Sequence, residues 1–152
     1  MRRQILLAAK ALMVAGWCLL HGACAGGFEA KWREAASRPP ADPYSGRWAG
    51  EWKSTRGTHR GALECVFTRV NPRVYQADFH AHWHGLASSY SVPFTTETVG
   101  DRLRFHGEHD LGAVFGGVYR YRGEISASRF QAAYDSRYDS GVFELGRVPA
   151  RQ

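Results

Sequence analysis

Between Gly46 and Leu145 apolar side chains recur at every second position, in short runs cut by glycine, proline, asparagine and aspartate. A period of two sends successive side chains to opposite faces, so these runs predict strands with one dry and one wet face. Trp48 and Trp52 share a face with Gly50 between them, opposite Arg47, Glu51 and Lys53. After a turn at Arg56 to Gly61, Leu63, Cys65 and Phe67 repeat the pattern in 62–69, and Asn71-Pro72 marks the next turn. In 74–83, Tyr75, Ala77, Phe79, Ala81 and Trp83 oppose Gln76, Asp78, His80 and His82.

The second half continues in the same way. Tyr90, Val92 and Phe94 alternate in 88–98, where Pro93 predicts an irregularity or an edge. Leu103 and Phe105 follow the Gly100-Asp101 turn, and a glycine-rich loop is expected from Gly107 to Gly117. Runs 118–125, 129–134 and 141–145 complete the set. About eight short strands predict an all-β fold, an antiparallel meander barrel over residues 46–147 with a tail at 148–152. Its inward candidates are Trp48, Trp52, Phe67, Tyr75, Phe79, Trp83 and Tyr90.

Residues 1–23 have a different character. Arg2 and Arg3 precede a mostly apolar stretch, Ile5 to Leu20, which ends in small residues and predicts an export signal. With Lys10 inside it, the stretch falls short of the roughly 20 apolar residues of a membrane span. His21-Gly22-Ala23-Cys24 behind Leu19-Leu20 resembles the lipobox of bacterial lipoproteins, which implies lipidation of Cys24 and a lipid-anchored place in the bacterial cell envelope. Ala23-Cys24-Ala25 also reads as a small-x-small site, and cleavage there would release a soluble periplasmic protein.

Residues 24–45 read as an anchor and tether. Phe28 and Trp32, four apart, suit one face of a short amphipathic helix that Pro39-Pro40 ends, with 37–45 as an extended linker. The two aromatics have two possible partners, the barrel or the membrane surface.

The formal charge is +6, and removing Arg2, Arg3 and Lys10 with the signal leaves +3. The remaining basic residues are scattered among acids, without the block that nucleic acid or anionic lipid would require. Cys65 is the one cysteine inside the barrel segment, so no disulfide forms within it, and its place in the Leu63–Phe67 row predicts a buried small hydrophobe.

Gly46-Arg47-Trp48 at the head of the meander resembles the Gly-x-Trp opening of the calycin group, meaning lipocalins, fatty-acid-binding proteins and avidins. Residues 46–147 also resemble uncharacterised exported lipoprotein domains, through Tyr75-Gln76-Ala77-Asp78-Phe79 and Gly116-Gly117-Val118-Tyr119-Arg120-Tyr121. The resemblance implies that Trp48 plugs one end of the barrel. A ligand-lining set of Trp52, Phe79, Trp83 and Tyr121 is then expected toward the opposite end, for a small apolar or amphipathic ligand. The alternative is a structural or protein-interaction module whose barrel its own aromatics fill.

His80-Ala81-His82-Trp83-His84 is the one constellation with metal-ligand spacing. In a strand its imidazoles share a face about 7 Å apart, close enough for neighbours to hold one ion. Against this, the opposite face is the apolar one, which puts the histidines outside the barrel in water, and Trp83-His84-Gly85 also reads as the start of a turn. Asp78 continues the row, and His106, Glu108 and His109 are further candidates. No G-x-S-x-G elbow, P-loop or H-E-x-x-H is present. The sequence thus predicts a noncatalytic binding protein without a cofactor, with metal binding by the histidine row as an alternative.

Overall fold

A computed structural model of the protein describes residues 22–113 and 117–150, with side chains from residue 27 onward. Residues 1–21 of the expected export signal and the side chain of Cys24 lie outside the described residues. Among the described residues one helix, α1 (Gly22–Ser37), precedes the strands β1 (Gly46–Ser54), β2 (Arg60–Asn71), β3 (Val74–Trp83) and β4 (Leu86–Val99). β5 (Arg102–Asp110), β6 (Val118–Ile125), β7 (Arg129–Asp135) and β8 (Ser140–Val148) follow. Each strand pairs antiparallel with the next, and β8 returns to β1, so the sheet closes as an eight-stranded barrel. Closure leaves no strand with a partner on one side alone, since each pairs with two neighbours over at least part of its length.

Up-and-down order sorts the connections between two ends. The β1–β2, β3–β4, β5–β6 and β7–β8 turns gather at one end, here the mouth. The linker from α1 and the remaining turns gather at the other, the floor.

The alternating rows explain the interior. Trp48, Leu63, Cys65, Phe67, Phe79, Phe94, Ile125 and Phe130 are buried in one contiguous core. Their rings touch in series: Phe67 meets Tyr75 at 4.8 Å and Phe130 at 5.8 Å, and Phe94 meets Phe105 at 4.5 Å. Phe79 continues the series toward the mouth through Tyr90, Tyr121 and Phe143. Such offset and edge-on pairs add to the burial of large apolar surfaces. Cys65 is free and fully buried, and burial pushes its thiol well above the ordinary value, as for a packing residue.

Two glycines make room for these rings. A Cβ on Gly107 would stand 2.5 Å from the Phe94 ring, and one on Gly123 would stand 2.6 Å from Phe105. Gly107 therefore belongs to the inward row of β5, opposite Tyr121, and the strand runs on to Asp110. The glycine-rich loop expected from Gly107 starts only after Asp110, because that glycine serves packing.

Pro93 lies within β4, opposite Gln76 of β3. The β4–β5 ladder covers only Thr95 to Val99 on the β4 side, so the proline sits where its missing N–H costs no ladder bond to β5. The irregularity or edge expected at Pro93 is this early end of the ladder: the barrel closes, but at Pro93 β4 has no ladder to β5. From Leu86 to Phe94, β4 has its ladder partner in β3.

The helix lies on the outer wall, and both of its aromatics pack there. Phe28 is 3% exposed and stacks on His80 of β3 with ring centres 4.9 Å apart. Trp32 stacks on Phe28, and the Arg47 guanidinium sits over its ring at 5.1 Å. Lys31 donates to Asp78 at 2.7 Å, in a pair whose carboxylate end is almost wholly buried. α1 therefore descends the wall from the mouth half, at Phe28, toward the floor, where Pro40 lies against Gly46.

Candidate functional site

The mouth is where inward rows become partly exposed. Tyr90 of β4 and Tyr119 of β6 are half-buried against the core, with Tyr121, Tyr134 and Phe143 beneath them. Tyr119 stacks at 6.5 Å from Tyr121 and 6.2 Å from Tyr134. Tyr134 donates its hydroxyl to Asp139 of the β7–β8 turn at 2.8 Å, tying that turn to the interior. Burial is the main cause that pushes the hydroxyls of Tyr90, Tyr121 and Tyr134 well above the ordinary tyrosine value. All three are neutral at physiological pH, so the upper barrel offers uncharged hydroxyls set among rings.

The four expected lining residues divide into two levels. Phe79 and Tyr121 are buried, at 0% and 4% exposure, and belong to the layer of rings below the mouth. Trp52 and Trp83 stand at the rim and are half-buried. Trp52 donates its indole N–H to the carbonyl of His82 at 3.2 Å, which fixes its ring across the top of β2 and β3. Trp83 meets His59 of the β1–β2 turn edge-on at 5.6 Å. Its indole Nε1 is buried and has no hydrogen-bond partner. A buried donor left unpaired costs about 1–3 kcal/mol, so an acceptor supplied from outside would recover that loss.

Tyr90, Tyr119 and His109 join this rim, with the Tyr90 and His109 rings 6.2 Å apart. Their signal in the sequence is parity, since Tyr90 alternates with Val92 and Tyr119 with Tyr121.

The histidine row is on the outer wall, as its parity requires, but it holds only two members. β3 ends at Trp83, and His84 takes a left-handed φ of +47° next to Gly85 at +79°, forming a two-residue hairpin turn. That rotation removes His84 from the row expected for His80, His82 and His84. Register supplies a different neighbour, because Glu64 of β2 lies directly opposite His80. Ligand atoms of Glu64, His80 and His82 all lie within 4.8 Å of one another, the one such group among the described residues. Asp78 is engaged by Lys31 and the Ser91 hydroxyl, and Glu108 by Arg120, so neither joins it.

His80 is not in water. Phe28 covers it, and the Ser89 hydroxyl lies 2.6 Å from its Nδ1. Burial first, and then the neighbouring His82, lower its pKa, which favours the neutral imidazole.

No protein-family model matches the chain, and no curated protein matches it in sequence. What the fold defines is a closed eight-stranded antiparallel meander barrel, an architecture compatible with the calycin-like class.

Proposed function

We propose that this protein is a noncatalytic, envelope-anchored binding module that takes a small amphipathic ligand at the mouth of its barrel. The observation that carries the reading is the buried, unpartnered indole N–H of Trp83 beside the half-buried rings of Trp52, Tyr90 and Tyr119. Together they pair an apolar rim with a donor in need of an acceptor. Rings fill the level of Phe79 and Tyr121, so the ligand sits in a shallow cup above them and does not descend to Trp48.

The course of α1 supports a membrane source for such a ligand. Its Phe28 end lies on the mouth half of the wall, and at 1.5 Å per helical residue the backbone of Cys24 is about 6 Å further along the axis. A lipid on Cys24 would bring the mouth near the bilayer surface.

The packed aromatic interior favours a second reading, a structural or protein-interaction module with a filled barrel. Tryptophan fluorescence separates the two. Fatty acids, lysophospholipids and aromatic metabolites are titrated into wild type and Trp83→Phe. A binding mouth gives saturable quenching by at least one class, weakened at least tenfold in the variant. No saturable response from any compound leaves the filled module.

A further inference from the structure

We propose that Glu64, His80 and His82 form a Zn2+ site on the outer wall of the barrel, with a solvent molecule as the fourth ligand. The site is independent of the mouth, since outward parity separates its side chains from the interior.

Three features of the fold assemble it. Antiparallel register sets Glu64 opposite His80, and the strand period sets His82 on the same face two residues on. The two imidazoles stand nearly perpendicular, at 87°, with centres 4.6 Å apart, so their nitrogens approach a common point without the rings stacking. His82 Nε2 lies 3.9 Å from Glu64 Oε2, with the carboxylate already turned toward the imidazole. Tetrahedral Zn2+ with bonds of about 2.0–2.2 Å places its ligand atoms about 3.4 Å apart. A small rotamer adjustment closes the gap, and Glu64 and His82 retain enough exposure to make it, at 32% and 46%.

The surroundings hold one imidazole in place. Ser89 engages Nδ1 of His80 at 2.6 Å, which fixes the ring and leaves Nε2 as the ligand atom. Phe28 stacks on the other side of that ring at 4.9 Å, shielding it from water. Two imidazoles and one carboxylate suit Zn2+ over Ca2+ or Mg2+, which prefer all-oxygen cages. Solvent access is limited to the Glu64 and His82 side, where the fourth position opens.

The site also fastens the helix. Because Phe28 rests on His80, an ion that immobilises His80 makes the docking surface of α1 more rigid.

Calorimetric titration of the chelator-treated full chain with Zn2+ tests the proposal, with Co2+ absorption reporting coordination geometry. The expected result is one equivalent bound, with visible bands of tetrahedral Co2+. His82→Ala and Glu64→Gln should each weaken binding at least tenfold, and His84→Ala should leave it unchanged. Both weakened variants change partly exposed side chains, and far-UV circular dichroism confirms that they remain folded. No saturable equivalent, binding that survives both substitutions, or binding lost in His84→Ala or Cys24→Ser would overturn the site.

Discussion

The guanidinium of Arg147, on β8, lies over the ring of Trp48, on β1, 4.3 Å from its centre. The same side chain donates to the carbonyls of Ala127 at 2.7 Å, Ser45 at 2.9 Å and Pro43. Trp48 donates in turn to the carbonyl of Tyr44 at 3.1 Å. The floor is thus closed by one planar cation that bonds a turn, the linker and the plug at once. Arg147→Ala should cost on the order of 2–3 kcal/mol, from the lost cation–π contact and the carbonyls left unpaired. Arg147→Lys should recover only part of it, because a point charge cannot reproduce the planar fork. Trp48→Ala should cost about 3–5 kcal/mol through lost burial and a cavity. Urea midpoints measure all three, with Val70→Thr on the exposed wall expected within about 0.5 kcal/mol of wild type.

His84 predicts the opposite sign. A non-glycine residue at φ +47° is held in the left-handed region that asparagine and glycine occupy with less strain. His84→Asn would complete the Asn-Gly pair favoured in this hairpin turn, and should raise stability by about 0.5–1 kcal/mol. A lower thermal midpoint for the variant would contradict the turn assignment.

Parity made most of this barrel legible in the chain. Trp48, Phe67, Tyr75 and Phe79 are buried as their alternation predicts, because a half-buried strand must put every second residue in the core. Legibility failed between two neighbouring strands. Glu64 carries no mark in its own run that it will face His80, since the register of the β2–β3 hairpin is fixed by its turn and by the shift between Arg69 and Asn71. His84 continues the period of the row, yet Trp83-His84-Gly85 also reads as a turn, and the turn is what forms, so His84 obeys no strand period. Gly107 read as loop because glycine usually breaks strands, and here it makes space for Phe94. Partial burial of Trp52 and Trp83 was equally hidden, because height along a barrel depends on where each hairpin turns.

The two ends of the pH scale should destabilise the fold for different reasons. Burial would raise the Asp42 carboxyl, but hydrogen bonds from Ser45, Tyr44 and Tyr75 outweigh it and hold the group below its ordinary value. Its contribution is therefore complete above an unfolded pKa of about 3.9 and is lost as pH falls through the lower folded value. Burial, and then Asp42, push the Tyr75 hydroxyl up to about 12. The neutral hydroxyl stabilises the fold below pH of about 10, and that contribution is lost as pH rises from there through the folded value. Asp42→Asn should be less stable than wild type at neutral pH, with the gap narrowing in strong acid. Tyr75→Phe should lose less stability than wild type between pH 10 and 12. Urea midpoints across the range check both.

The anchor is tested by intact-mass measurement of the native product. Lipidation predicts a mature chain that begins at Cys24 and carries the mass of its acyl groups, and Cys24→Ser should abolish that species. An unmodified chain beginning at Gly26 would contradict the anchored reading.

Binding at the mouth is tested most directly by the indole N–H resonances of the tryptophans in 15N-labelled protein, titrated with lysophospholipid. The Trp83 N–H, buried without an acceptor, should shift in a saturable way as an acceptor reaches it, together with backbone amides near Tyr90 and Tyr119. The Trp48 N–H, bonded to Tyr44 at the floor, should stay in place. A Trp83 resonance unmoved at saturating lipid, or shifts confined to Trp48 and Trp32, would contradict a ligand site at the mouth.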